Sequence, residues 1–281
     1  MTSERLELDE PSKSVLADAR KLQRRKERKA TGRFLVEGRQ AVREALRTPG
    51  LVESLFVRWA QARENVDLVE DARAAGVPVY AVSEQNLATL TDTVTPQGIV
   101  AVSKQLDVPL ADVLGTDSGA RLVVICAQIR DPGNAGTVIR CADSFGADAV
   151  VFTSGSVEVY NPKAVRASVG SMFHLPLVVG VELADAIVAC RDAGLQVFAT
   201  DGAIGTDLTD LGDALAQPTA WVMGNEAWGL PLEHAELADA TVAVTIYGHA
   251  ESLNLATAAA VCLYASASAQ HATKTQPAKK N

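Results

Sequence analysis

The chain has 281 residues, of which 48% are hydrophobic and 21% are charged, and its formal net charge is −8. This balance is typical of a globular protein and argues against a disordered, collagenous or membrane-spanning chain. The length favours two domains. The amino-terminal stretch lacks the apolar core of a signal peptide and no apolar run reaches membrane-spanning length, so we expect a cytoplasmic protein.

A basic helical segment is the first element predicted along the chain. From Arg20 to Arg47 there are eleven of the 26 Lys and Arg residues against three Glu, whereas no Lys or Arg occurs from Asp192 to Thr273. Such clustering favours contact with a polyanion such as RNA, and a solvated basic helix is the alternative. The RNA contacts predicted here are Arg24, Arg25, Lys26, Arg28, Lys29, Arg33 and Arg39.

Alternating apolar strands and helical patterns predict two α/β domains. The first, residues 1–107, consists of the basic extension and a small unit with strands FLVEG, ESLFVRW, VPVYAVS and GIVAVS. Turn-forming residues predict a linker at 108–120. The second domain, residues 121–270, has more continuously apolar strands, which favour a parallel sheet covered on both faces, and it ends in an Ala-rich helix before a flexible tail at 271–281.

Glycine and cysteine spacing excludes several common sites. No two glycines are separated by one residue and no G-K-[ST] occurs, so dinucleotide loops and P-loops are excluded. The four cysteines are far apart, which predicts reduced thiols and no metal site. Three other loops, RDPGNAG, TDGAIG and GNEAWG, follow predicted strands at the edge where parallel sheets bind ligands.

Three stretches of the second domain resemble motifs of one enzyme family. DPGNAGTVIRCADSFGAD, VMGNEAWGLP and VTIYGHAESLNLATAAAVCLY are similar, in order and spacing, to motifs one to three of the SpoU/TrmH branch of the SPOUT methyltransferases. These are RNA ribose 2′-O-methyltransferases that use S-adenosylmethionine (SAM). The resemblance spans about residues 121–266, and the amino-terminal unit is similar to the L30e-like substrate-binding domain of many members that act on ribosomal RNA (rRNA).

That resemblance implies a fold, a cofactor and an assembly. The expected fold is an L30e-like α/β domain followed by an α/β catalytic domain with a deep trefoil knot. The expected cofactor is SAM, and the expected assembly is a homodimer that packs through the knot region.

The resemblance also implies catalytic roles for Arg140, Asn134, Glu226, Ser252 and Asn254. Because a guanidinium stays protonated, we expect Arg140 to grip a phosphate and stabilise the developing alkoxide rather than act as a base. From the residues alone, a surface ion pair of Arg140 with Asp143 is an alternative. Helix capping by Asn134, or by Ser252 and Asn254, is another.

Cofactor contacts are implied at eight positions: Thr200, Asp201, Gly202, Gly224, Asn225, Val244, Ile246 and Leu253. Motif three commonly reads I-P-M-x-G, and this chain departs from it with Thr245 at the proline while keeping Gly248. Nearly all the cations of the second domain lie around motif one and in the segment that follows it. They predict further RNA contacts at Arg130, Lys163, Arg166 and Ser168, with a solvated helix face as the alternative for Lys163 and Arg166.

The predicted function is SAM-dependent 2′-O-methylation of RNA, with 23S rRNA favoured because the L30e-like unit precedes the catalytic domain. Transfer RNA as substrate, an antibiotic-resistance rRNA methyltransferase and a non-catalytic RNA-binding assembly factor are the alternatives. The intact set of five motif residues speaks against the last of these, because a pure binder has no chemical need for all five.

Overall fold

The structure, a computed structural model, describes residues 7–93, 95–115, 118–200, 205–225 and 229–275, with side chains to residue 272. The chain forms two compact units. One runs to Leu106 and includes Glu158–His174, and the other comprises Asp107–Val157 and the chain from Leu175 onward. Residues 158–174 thus pack in the first unit, although the chain on both sides of them belongs to the second. We call this segment the excursion. The domains predicted from the sequence were contiguous and did not include it.

The regular elements follow in chain order. The helices are α1 (Lys13–Lys21), α2 (Arg25–Thr31), α3 (Arg39–Leu46), α4 (Val66–Ala74), α5 (Glu84–Ala88), α6 (Leu110–Val113), α7 (Pro132–Ser144), α8 (Pro162–Ser168), α9 (Leu183–Asp192), α10 (Leu232–Ala235) and α11 (Leu255–Thr275). The strands are β1 (Arg33–Glu37), β2 (Val52–Arg58), β3 (Val79–Val82), β4 (Ile99–Lys104), β5 (Leu122–Cys126), β6 (Ala149–Thr153), β7 (Leu177–Val181), β8 (Gln196–Thr200), β9 (Thr206–Asp207), β10 (Thr219–Met223) and β11 (Ala240–Ala243).

The first unit is built on a mixed sheet of order β1-β4-β2-β3. Strand β4 pairs antiparallel with β1 and β2, and β3 pairs parallel with β2. All four strands predicted from the sequence are present. Their apolar side chains, Phe56 and Val100 among them, form a core that also includes Leu16 of α1 and Leu22, which directly follows α1.

The basic segment begins in two helices, the end of α1 and α2, that pack on this sheet. Helix α1 begins at Ser12, whose hydroxyl accepts the Val15 N–H at 3.3 Å. Helix α2 ends at Gly32, which has a φ of +64° and lets the chain turn into β1 without a Cβ penalty. Burial of Leu16 and Leu22 fixes the segment on the sheet and leaves most of its cations outside.

A buried ion pair holds the excursion within the first unit. Arg28 of α2 donates to both carboxylate oxygens of Glu158, at 2.7 and 2.5 Å, and to the carbonyls of Leu22 and Gln23 at 2.9 Å each. Only 3% of the Arg28 side chain is exposed. This pair fixes the angle between α1 and α2, because one guanidinium satisfies the carbonyls at the end of α1 and a carboxylate on the excursion.

The second unit contains a seven-stranded sheet of order β7-β6-β5-β10-β8-β11-β9, and every neighbouring pair is parallel. The predicted α/β class with a parallel sheet is confirmed. Because all the strands point the same way, the loops that follow β8, β10 and β11 leave one edge of the sheet side by side. The predicted trefoil threading stays a prediction.

Strand β7 was missed from the sequence. It lies at one edge of the sheet and has the sequence Leu-Val-Val-Gly-Val, in which Gly180, with a φ of +80°, ends the apolar run after three residues. Val179 and Gly180 are exposed, as an edge strand allows.

Two helices of the second unit begin at side-chain caps. Asp131 caps α7 by accepting the Asn134 N–H at 2.9 Å, with Pro132 in the first turn, so the alternative in which Asn134 itself caps this helix was wrong. Asn254 caps α11 by accepting the N–H groups of Ala256 and Thr257 at 2.9 and 3.3 Å. Helix α11 continues five residues into the predicted tail, and residues 276–281 lie outside the described part of the chain.

Candidate active site

Motifs one and three meet through one side-chain hydrogen bond. The Asn254 amide donates from Nδ2 to Oδ1 of Asn134 at 2.9 Å. Asn134 lies in the first turn of α7 and Asn254 caps α11, so the bond joins the starts of two helices that are 120 residues apart in the chain. Both residues lie next to the loops at the carboxyl edge of the sheet, and both side chains are partly open to solvent. The sequence prediction that they belong to one site is consistent with this contact.

Motif two is tied to the end of β5. The buried Asn225 donates from Nδ2 to the Gln128 carbonyl at 2.7 Å, and its main chain exchanges two hydrogen bonds with Gly229 at 2.8 and 2.9 Å. A Cβ on Gly224 would lie 2.6 Å from the Gly229 carbonyl carbon, so only glycine fits where the arms of this loop approach each other. Asn225, predicted as a cofactor contact, thus has a side chain that positions the loop. Glu226 lies outside the described residues.

Arg140 is exposed on the outer side of α7, about 9 Å along the helix axis from Asn134 at 1.5 Å per residue. Its neighbours Val138, Ile139 and Ala142 on the same helix are buried. Within the described part of the chain, the guanidinium forms no ion pair, with Asp143 or with any other acid. A cation that is exposed and uncommitted in a domain of sparse cations suits an anionic ligand better than a structural role.

The cofactor positions fit a group held largely by main chain. Thr200, Gly224 and Val244 directly follow or end three adjacent strands, so their loops share one edge of the sheet. Val244, Ile246 and Leu253 present partly exposed apolar side chains of the kind that pack on an adenine ring, with Leu253 37% exposed. The Thr200 hydroxyl donates to the Val222 carbonyl at 2.9 Å and so serves the sheet itself. Asp201 and Gly202 lie outside the described residues, and Ser252 is exposed beside the Asn254 cap.

A scan against family models matches residues 121–264 to the SpoU rRNA Methylase family. The chain belongs to this family. A second model, the MRM3-like substrate binding domain, matches residues 15–101. The resemblance inferred from the three motifs is therefore confirmed, as is a substrate-binding domain in front of the catalytic one.

Characterised SpoU proteins align with nearly the whole chain. It is 35% identical to the 23S rRNA (guanosine(2553)-2′-O)-methyltransferase RlmP of Bacillus subtilis, over 92% of this chain and 98% of that protein. It is 33% identical to a 23S rRNA (uridine(2479)-2′-O)-methyltransferase of Streptomyces viridochromogenes, over 85% of this chain and 84% of that protein. The crystal structure of an AdoMet-bound rRNA methyltransferase from Sinorhizobium meliloti is similar with a TM-score of 0.78 and 32% identity, covering 92% and 96% of the two chains.

In this SpoU protein, some of the predicted RNA contacts are exposed and others are buried or paired within the fold. Arg24, Arg25, Lys26 and Lys29 are exposed on or next to α2, and Arg130 and Lys163 are exposed in motif one and on α8. Arg28 and Ser168 are buried, at 2% and 1% exposure, so the expectation that they face RNA was wrong. Arg28 is committed to Glu158, and the Ser168 hydroxyl donates to the Val165 carbonyl at 2.8 Å.

Three further predicted contacts are engaged in ion pairs. Arg33 lies 3.4 Å from Glu53, and Arg166 lies 3.2 Å from Glu37. Arg39 donates to both oxygens of Asp67, at 2.7 and 2.5 Å, and this contact more than any other lowers the pKa of Asp67 to about 2. Since the folded pKa is depressed, this carboxylate stabilises the fold above its ordinary pKa of 3.8, and that contribution is lost as the pH falls through about 2.

No disulfide joins the four cysteines, all of which lie in the described residues. Burial raises the pKa of both Cys190 and Cys262 to about 12, so these two are unreactive thiols. Among the described residues, no group of three or more His, Cys, Asp or Glu side chains is arranged to hold a metal ion. None of the helices in the described ranges is long and apolar enough to cross a membrane.

Sequence reasoning missed two groups near the site. The capping role of Asp131 has one sequence signal, the Asp-Pro pair at the start of α7, which is typical of a helix start. Asp207 accepts hydrogen bonds from Thr209 and from Thr245, the residue at which motif three departs from its usual pattern. Asp207 precedes Thr209 by two residues, a spacing typical of a local cap, so the sequence predicts only that contact. Nothing in the sequence indicates its second contact, with the distant Thr245.

Proposed function

We propose that the chain methylates the 2′-hydroxyl of a ribose in rRNA, within 23S rRNA, with SAM as methyl donor. The observation that carries this proposal is the Asn134–Asn254 hydrogen bond, which joins motifs one and three beside the loops suited to the cofactor. Family membership and the 23S rRNA activity of the named relatives support the same reaction. Those relatives methylate a guanosine in one case and a uridine in the other, so the family match leaves the nucleotide open.

Different residues of the chain would bind the cofactor, position the ribose and stabilise the charge that develops in the reaction. When bound, SAM supplies a methyl group on a positively charged sulfur. The main chain at Gly224, Val244 and Leu253 would hold the cofactor. The Asn134–Asn254 bond joins the starts of α7 and α11, beside which the ribose would bind. Arg140 would bind the phosphate next to the reacting ribose and stabilise negative charge on the 2′-oxygen as its proton passes to solvent water. Glu226 and Ser252, which the family resemblance marks as catalytic, are proposed to lie around the cofactor and the reacting ribose.

Transfer of labelled methyl groups tests this function. Purified protein is incubated with labelled SAM and deproteinised 23S rRNA, 16S rRNA or transfer RNA, and label is counted in each RNA. We expect incorporation into 23S rRNA alone. Label in transfer RNA alone would contradict the substrate, and absence of label from all three, with SAM bound normally, would favour the assembly-factor alternative.

The RNA surface is proposed to include the exposed cations of α2. Replacing Arg24, Arg25, Lys26 and Lys29 with glutamine is expected to weaken 23S rRNA binding. The slope of log K against log salt should fall by about 0.7 to 0.9 for each phosphate that the variant no longer neutralises. Filter binding at several salt concentrations measures the slope. Arg191→Gln, which removes an exposed cation of the other unit, is the control; an unchanged slope in the α2 variant would place the RNA elsewhere.

We also propose that the protein is a homodimer that packs through α11. Val261 and Tyr264 are 37% and 60% exposed on the outer side of this helix, and Tyr264 contacts the Phe145 ring edge-on at 5.6 Å. The stretch from Asp192 to Thr273, which includes most of α11, contains no Lys or Arg, so two copies that pack through this helix bring no lysine or arginine of the stretch into the interface.

We propose the cytoplasm as the location of the protein, because rRNA is the proposed substrate.

Light scattering after size exclusion tests the dimer. The wild-type protein is expected at twice the mass of the chain, and Tyr264→Glu is expected to be monomeric because a charge would be buried in an apolar interface. Val188→Glu places the same charge at a 54% exposed apolar position on α9 of the same unit, and it should leave the dimer intact. A monomeric wild-type protein would contradict the proposal.

A further inference from the structure

Asp207 links two segments that belong to different cofactor loops. Its Oδ1 accepts the Thr209 N–H at 2.8 Å and the Thr209 hydroxyl at 2.5 Å. Its Oδ2 accepts the Thr245 hydroxyl, and the Thr245 N–H also donates to this carboxylate. Asp207 follows the loop after β8, and Thr245 lies within motif three, between the predicted cofactor positions Val244 and Ile246.

The backbone on both sides of this contact is held by the sheet. Strand β9 pairs in parallel with β11, and Asp207 lies beside Ala243, so its side chain reaches Thr245 two residues further along. Gly205 approaches β11 so closely that a Cβ there would lie 2.3 Å from the Thr241 carbonyl oxygen. The segment 205–207 is therefore a fixed support placed directly against the start of motif three.

Motif three needs such a support because it leaves the sheet at an exposed position. Strand β11 ends at Ala243, and the Thr245 side chain is exposed. A loop that is free to sample several conformations must lose that freedom when its main chain binds a ligand, which weakens binding. A carboxylate that accepts both the hydroxyl and the N–H of Thr245 restricts the loop before the ligand arrives.

We propose that Asp207 is a positioning residue for SAM, which acts through Thr245 to hold the Val244–Ile246 turn in its binding conformation. This inference rests on the proposed function. Asp207 itself does not need to touch SAM. The hydrogen bonds from Thr209 and then from Thr245 hold the pKa of Asp207 below its ordinary value, so the carboxylate is charged at neutral pH and stays an acceptor.

Calorimetric titration of SAM into matched variants tests the proposal. Asp207→Ala is expected to raise the Kd for SAM about tenfold, and Thr245→Val about threefold, because the first removes the whole acceptor and the second only one donor. The double variant is expected to bind SAM no more weakly than Asp207→Ala, since that single change already removes the interaction. Thr245→Ser keeps both donors and should bind like the wild-type protein.

Two measurements distinguish the positioning role of Asp207 from a purely structural one. If Asp207 acts through Thr245, Thr209→Val, which removes the other hydroxyl partner of Asp207, should leave SAM affinity within about twofold of wild type. In kinetics, Asp207→Ala is expected to raise the KM for SAM while kcat at saturating SAM and the KM for RNA stay unchanged. General loss of folded protein would instead lower kcat and the melting temperature together.

Three outcomes overturn the proposal. Wild-type affinity in Asp207→Ala would show that the hydrogen bonds to Thr245 do not position the cofactor loop. Fully additive losses in the double variant would show that Asp207 does not act through Thr245. Absence of SAM binding by the wild-type protein would overturn the proposed function and this inference with it, so the two failures are distinguishable.

Discussion

Replacing Arg140 with alanine is expected to lower the rate of methyl transfer at saturating SAM and RNA by about 10²- to 10³-fold, the usual effect of removing one donor that stabilises a developing oxyanion. The Kd for SAM should stay within twofold of wild type. The guanidinium is exposed on α7 and unpaired within the described residues, so its removal leaves no buried charge and should not destabilise the fold. Single-turnover transfer together with SAM calorimetry measures both quantities.

Two variants serve as controls for Arg140→Ala. Arg140→Lys keeps the positive charge without the planar fork and should recover only part of the rate. Arg191→Ala removes an exposed arginine of the same unit that pairs with Asp239, and it should transfer methyl groups at the wild-type rate. A large loss of SAM binding in Arg140→Ala, or a rate close to wild type, would contradict the assigned role.

Replacing Arg28 with alanine is expected to reduce the free energy of unfolding by about 3 to 5 kcal/mol, the range for breaking a buried ion pair from one side. The variant leaves the Glu158 carboxylate, whose side chain is 14% exposed, without its bidentate partner. It also leaves the carbonyls of Leu22 and Gln23 without their donor. Urea denaturation followed by circular dichroism measures the change.

Arg25→Ala is the matched control, because Arg25 lies 3.9 Å from the same carboxylate but its side chain is 73% exposed. It should change stability by less than about 0.5 kcal/mol, as surface pairs usually do. Should Arg28→Ala not fold, the pair Arg28→Met with Glu158→Leu removes both charges and is expected to recover part of the stability. A loss of less than about 1 kcal/mol in Arg28→Ala would contradict the structural role.

The sequence was sufficient to predict the elements with a regular apolar pattern and the residues that belong to a family motif. Apolar runs identified β5, β6, β8, β10 and β11. The signal is strongest for β5, β6 and β10, which are buried along their whole length and contain only Thr153 and Thr219 as polar residues. Three motifs in the right order identified the family. They also predicted that Asn134 and Asn254 belong to one site, and the hydrogen bond between the two side chains is consistent with that prediction. Alternation of short strands and helices gave the α/β class of the first unit.

The rest depended on contacts between distant residues. Arg28 resembles its basic neighbours in the sequence, and only the placement of Glu158, 130 residues later, makes it a buried structural cation. Asp131 and Asn134 are both good capping residues, and backbone geometry decides between them. The Asp207–Thr245 contact joins two polar residues that carry no periodic signal, so the structure alone reveals it.

The measurement that tests the central claim most directly is the chemistry of the methylated product. RNA labelled from SAM is hydrolysed in alkali and the labelled fragments are separated. A 2′-O-methyl ribose cannot assist cleavage of the neighbouring phosphodiester, so we expect the label in an alkali-resistant dinucleotide from 23S rRNA. With Arg140→Ala the same labelled dinucleotide should form about 10²- to 10³-fold more slowly. Label recovered in a mononucleotide would show methylation of a base and would contradict the proposed function.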